Sequence, residues 1–106
     1  MSVKGKLTLH KDETTVTDGF FAAYIAYLGY PVMKCSTPQR EFTIWTFLIP
    51  ACDLETCETE FADSETPILV QGYVTAFQEM MNFRKLANKN CGEWISREWR
   101  DLIYQR

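Results

Sequence analysis

Thr17-Asp18-Gly19-Phe20-Phe21-Ala22-Ala23-Tyr24-Ile25-Ala26-Tyr27-Leu28-Gly29-Tyr30 is a helix written with its start and its stop. Thr17 offers a side-chain oxygen to the first free backbone N–H groups, and Asp18 sets a negative charge at the positive end of the helix dipole. Phe20, Phe21, Tyr24, Ile25 and Leu28 recur at helical spacing, which predicts one apolar stripe. Gly29 stands where a left-handed closing residue is wanted, and Pro31 bars continuation. Ala22, Ala23 and Ala26 allow a second element to approach closely. The spacing predicts a helix over about 18–28 that nucleates a core and carries no chemistry.

Outward from this helix, Glu41 to Leu48 (Glu-Phe-Thr-Ile-Trp-Thr-Phe-Leu) is the strongest strand. Phe42, Ile44, Thr46 and Leu48 face one side; Thr43, Trp45 and Phe47 face the other. Both faces are largely apolar, and each exposed large side chain forfeits roughly 1.5–3 kcal/mol of burial. Both are therefore expected to be covered, by helices or by another subunit. Val32 to Cys35 reads as the partner strand, with Ser36 to Arg40 as the turn around Pro38. Asp53 to Ala62 reads as a second helix, with Leu54, Cys57 and Phe61 inward and acids outward. Ile68-Leu69-Val70 is a candidate third strand. A long helix follows over Gly72 to Lys89, with Tyr73, Phe77, Met80, Met81 and the stem of Arg84 on one side and Phe83 nearby. Asn90-Cys91-Gly92 interrupts it, and a last helix is expected over Glu93 to Tyr104, with Ile95, Trp99, Leu102 and Ile103 as its stripe. Residues 1–12 alternate weakly and read as an edge strand over Lys6–His10 or as a frayed arm. The expectation is one small α+β domain over 1–106: a β-hairpin, with room for one or two extra short strands, packed against three or four helices. Residues 92–106 read as a C-terminal helical extension.

Composition bounds the function. The 106 residues are 46% hydrophobic, enough for a core without staples. No apolar run is long enough to span a bilayer, and the N-terminus lacks the pattern of a secretory leader, so a cytoplasmic protein without membrane contact is expected. Cys35, Cys52, Cys57 and Cys91 lack metal or redox spacing and read as free, reduced thiols. His10 is the sole histidine, so a Cys–His or Ser–His pair has one possible base. The five glycines are isolated, which excludes a glycine-rich phosphate loop. The expectation is no catalytic residue, no cofactor and no metal ligand: the chain works by binding, not as an enzyme.

Thr17-Asp18, Ala22-Ala23-Tyr24 and Gly29-Tyr30 together form the pattern Thr-Asp-x3-Ala-Ala-Tyr-x4-Gly-Tyr. An aromatic strand ending Trp45-Thr46-Phe47, an acidic helix closing on Phe61, and Val70 ahead of a charged helix follow it. In these features the chain resembles an uncharacterised family of short phage and prokaryotic proteins, over roughly residues 13–87. The resemblance carries no activity across. It implies a small accessory protein, and the 92–106 segment departs from the family's usual ending.

Charge is unevenly placed. Asp53, Glu55, Glu58, Glu60, Asp63 and Glu65 fall together with no basic residue among them, while Arg84, Lys85, Lys89, Arg97, Arg100 and Arg106 dominate the C-terminal part of a chain of net charge −3. Two solvated faces are the plain reading. The functional reading makes Asp53, Glu55, Glu58 and Glu60 a partner-binding face for an unidentified protein. A phage protein that neutralises a host defence complex would fit, its acidic helix imitating a phosphate backbone. The aromatic content, with Trp45 and Trp94 lacking an obvious intrachain partner, adds an expectation of self-association, most simply a dimer. The alternative is a nucleic-acid-handling accessory using Arg84, Lys85, Lys89, Arg97 and Arg100, although the acidic total argues against duplex DNA. A weaker alternative is a small-ligand binder or enzyme with a site at a subunit interface.

Overall fold

The computed structural model describes residues 13–39, 42–63, 65–97 and 100. The elements run β1 (Glu13–Val16), α1 (Gly19–Tyr27), β2 (Val32–Gln39), β3 (Phe42–Leu48), α2 (Ala51–Ala62), α3 (Val70–Lys89) and β4 (Glu93–Ile95). The strands form one four-stranded sheet in the order β1-β3-β2-β4, every neighbouring pair antiparallel. β1 and β2 both run against β3, so they are parallel to each other and need a crossover, which α1 supplies. β3 and β4 likewise flank β2 in parallel, and α2 with α3 make that crossing. The α+β class follows from this topology.

Asp18, not Thr17, is the N-cap of α1: its Oδ1 accepts the Phe20 N–H at 2.9 Å. The helix closes as its sequence predicts. Gly29 lies at φ +100°, its N–H donates to the Ala26 carbonyl, and the Tyr30 N–H reaches the Ile25 carbonyl. The expected apolar stripe is replaced by burial on every side. Ala22, Ala23, Tyr24 and Ile25 are consecutive and all buried, while Phe20 is 62% exposed and Leu28 42%. Successive helical residues point about 100° apart, so four in a row enclose the helix.

Across the sheet, Val16, Trp45, Cys35 and Trp94 stand opposite one another in register and share the face that packs against the helices. Beneath them Phe47, Ile25, Ile49 and Met80 are fully enclosed. Both tryptophans find partners within the chain. Trp45 donates its Nε1–H to the Met80 carbonyl at 3.2 Å, and Trp94 stacks on Phe83 with ring centroids 4.5 Å apart. Among the described residues the main core cluster packs α1, α2 and α3 on one face of β3. On its other face Ile44 and Leu48 are half-buried, Thr46 is buried and Phe42 is exposed, and none belongs to the main core cluster.

Four sequence expectations are corrected. β2 continues to Gln39, carrying Pro38 past the end of β4, at an irregularity in the pairing between Ser36 and Gln39. Ile68-Leu69-Val70 is not a strand; Leu69 is the N-cap of α3 and Val70 its first residue. β1, which had no strand expectation, pairs residue by residue with β3. The helix expected from Glu93 begins instead as β4, and the 92–106 extension thus contributes an edge strand to the sheet. Trp99, Leu102, Ile103 and the 1–12 segment lie outside the described residues.

Candidate functional site

α2 carries most of the acidic face, and the structure divides its acids into two groups. Asp53 and Glu60 turn toward the body of the protein. Tyr30 donates its hydroxyl to Asp53 Oδ2 at 3.0 Å, and Tyr24 donates to Glu60 Oε1 at 3.2 Å. With Cys57, the one buried residue of α2, these bonds seat the helix on the α1 side of the core. Glu55 and Glu58 face outward and are exposed.

The titration of this seat follows from its geometry. Burial raises the Tyr24 hydroxyl above its ordinary value, with the Glu60 charge adding to the shift. The hydrogen bond to Asp53 raises Tyr30. Burial raises the Cys57 thiol, reinforced by the Glu60 and Asp53 carboxylates. All three groups therefore stay protonated through neutral pH and serve as donors or apolar filling.

Two hollows open beside this seat and share Phe61. The first, about 300 Å³, is walled by the rings of Tyr24, Phe61 and Tyr73, with the Glu60 and Asp63 carboxylates at its edge. The second, about 320 Å³, sets Phe21 and Phe61 between Asp18 and Glu58. The rings support one another, with Phe61 lying 5.2 Å from Phe21 and 5.7 Å from Tyr24 between centroids. Among the described residues no basic side chain lines either hollow. Carboxylates beside ring faces form a receptor for cations, since charge attraction and the ring quadrupole act together.

The structure thus sets Glu58 beside Asp18, which the sequence offered as a charge at the start of α1, and Glu60 beside Asp63 of the acidic run. It leaves Asp53 and Glu55 outside both hollows. Asp18 lies far from α2 in sequence, and only the packing of α1 on α2 places it beside Glu58. Of the basic set, Lys85 and Lys89 are exposed on α3 and Arg97 and Arg100 are exposed after β4. Arg84 is half-buried and lines a separate groove. Among the described residues no group of three or more His, Cys, Asp or Glu side chains is arranged to hold a metal ion. No helix is long and apolar enough to cross a membrane, again among the described residues.

Comparison with protein-family models, with curated proteins and with solved structures finds no match for this chain.

Proposed function

We propose that this protein acts by binding a basic segment of another protein, with the two hollows around Phe61 as its recognition surface. The observation that carries the reading is their shared chemistry: each sets carboxylates against aromatic rings, with no counter-charge within either among the described residues. One hollow takes a lysine or arginine side chain; two, side by side, read a short basic stretch. Glu55 and Glu58 on the outer side of α2 extend the negative field and raise the rate of encounter more than the final affinity. A host protein that itself binds nucleic acid presents such a basic stretch. An inhibitory accessory protein of phage type, imitating a phosphate backbone, fits this surface.

The reading is tested with an arginine- and lysine-rich peptide titrated into the protein at two salt concentrations. Binding should weaken as salt rises, and Phe61→Ala should reduce it at both. Equal binding by wild type and by a Glu58→Lys, Asp63→Lys variant would remove the hollows from the function. Retention on single-stranded DNA that is lost on neutralising Lys85 and Lys89 would move the function to the basic residues. Self-association belongs to the same reading, because Leu69 and Val70 present contiguous exposed apolar surface at the start of α3. Sedimentation at micromolar concentration decides it, and a monomer at every concentration would leave that surface to the foreign partner.

A further inference from the structure

On the side of α1 away from α2, a groove of about 380 Å³ runs between the start of α1, β3 and the middle of α3. Its walls are Phe20, Trp45, Phe77 and Met81. Phe20 and Phe77 stack at 5.4 Å between centroids and form one continuous apolar side. Phe20 remains 62% exposed, which for an aromatic at the first turn of the most buried helix needs a reason beyond the core.

Thr43, Arg84 and Asp18 line the same groove. Thr43 is 5% exposed, and its Oγ1 has no hydrogen-bond partner among the described residues. Such a group is costly to bury without a partner. Arg84 forms no ion pair among the described residues, and it is half-buried in the wall of the groove. Asp18 uses Oδ1 to cap α1 and has Oδ2 left. Asp18 and Arg84 line one groove without pairing with each other.

We propose that this groove binds a small aromatic amino acid as its zwitterion. The ring lies against Phe20, Phe77 and Met81 with Trp45 below. The carboxylate meets the guanidinium of Arg84, whose planar donors suit it. The ammonium group meets the remaining oxygen of Asp18. A simple aromatic acid would satisfy Arg84 and be repelled by Asp18; a simple aromatic amine would do the reverse. The volume is that of a small-molecule site. This site shares Asp18 with the second hollow around Phe61 but none of its rings, and it stands whether or not the hollows bind a basic partner.

Gly19 supplies a clean test. A methyl group placed there would lie 3.4 Å from Met81 Cε, 3.5 Å from Trp45 Cη2 and 4.0 Å from Phe77 Cε1, ordinary contacts that fill the groove without a clash. L-phenylalanine and L-tryptophan are titrated into the protein while the Gly19 amide and the Trp45 indole N–H are followed by NMR. Saturable shifts at both positions are expected in the wild type. Arg84→Gln and Gly19→Ala should each weaken binding by roughly tenfold or more, with melting temperature unchanged or raised for Gly19→Ala. Phenethylamine and 3-phenylpropionate, each lacking one charge, should bind roughly tenfold more weakly than phenylalanine. Absence of any shift at ligand concentrations up to about 10 mM would overturn the proposal. So would shifts that persist unchanged in both variants, or equal binding of phenylalanine and 3-phenylpropionate.

Discussion

The two short helices α1 and α2, of 9 and 12 residues, are held by different physics. α1 buries four consecutive residues and is enclosed by the sheet and the other helices, whereas α2 buries Cys57 alone. What holds α2 down is a pair of tyrosine–carboxylate hydrogen bonds reaching across from α1 and from the residue after its closing glycine. Neither helix is long enough to be stable by itself, so each depends on its packing. In α1 that packing is the fold. In α2 it is an attachment, and the outer side of the helix is left without a folding role. A surface of that kind can be given over to recognition, since substitutions there cost the protein little.

The largest effect should come from breaking α1. Ile25 is fully buried, and Ile25→Ala should cost about 2–5 kcal/mol because the enclosed site cannot collapse onto the lost methylenes. Phe47→Ala, on the sheet side of the same core, should cost a similar amount. Urea denaturation followed by tryptophan fluorescence measures both. By contrast Ile44→Ala, half-buried on the face of β3 opposite the main core cluster, should cost less than either. Equal losses at Ile44 and Phe47 would mean that the two faces of β3 contribute alike.

The same contrast governs what the sequence revealed. The start and stop of α1 and the long α3 were legible because caps, glycine and helical spacing are local signals. The β3 strand was legible because a run of aromatic and β-branched residues is one too. β4 was not, since Glu93-Trp94-Ile95 is a strand only through its pairing with β2, and three residues carry no period. The Val16–Trp45–Cys35–Trp94 row was hidden for the same reason, so both tryptophans looked partnerless. In the candidate site, the acids of α2 were visible as a charge run. Which of them turn inward was not, because Tyr24 and Tyr30 decide it from a distance in sequence. The cues for the groove at Arg84 were weaker still. An unpaired buried hydroxyl is a property of packing and leaves no trace in the order of residues.

Alkaline pH should sharpen the comparison by acting on the seat of α2 before the rest. Tyr24, Tyr30 and Cys57 all hold their protons more tightly in the folded protein than in the unfolded chain. Groups raised in this way stabilise fully below their unfolded values and lose that contribution as pH climbs through the folded ones. Ionised tyrosines at these positions would also lose a donor and face a carboxylate. Cys35, pushed by burial from 9.0 up to about 11, adds to the global loss over the same range. Hydrogen exchange corrected for its intrinsic pH dependence should show α2 losing protection at a lower pH than α1. Simultaneous loss in both helices would show that α2 is part of the same cooperative unit.

A smaller effect is expected when the two bonds are removed at neutral pH. Tyr24→Phe leaves the ring packing intact and deletes the donor to Glu60, a loss of about 1 kcal/mol. Adding Tyr30→Phe should release the start of α2 as well, and α2 amides should exchange faster while those of α1 keep their protection. If the double variant leaves α2 exchange unchanged, Cys57 and the Phe61 ring contacts suffice to hold the helix.

The smallest effect on folding, and the one that bears most on function, is expected at the outer face of α2. Glu55 and Glu58 are exposed, and none of the hydrogen bonds that seat the helix involves either side chain. Reversing both to lysine should change stability by no more than about 0.5 kcal/mol, since single exposed charges contribute little. The reversal could even relieve the repulsion within a helix whose acids have no counter-charge. Binding of a basic partner should nevertheless fall, and fall most at low salt, because the field that steers the encounter has changed sign. Glu60 and Asp53 serve as the control: reversing them removes the acceptors of Tyr24 and Tyr30, so stability and binding should fall together. A Glu55→Lys, Glu58→Lys variant that folds normally and binds as before would reduce the outer face of α2 to a solvated surface. Because Glu58 also edges the second hollow, recognition would then rest on the first alone, with its Tyr24, Phe61 and Tyr73 rings and the Glu60 and Asp63 carboxylates.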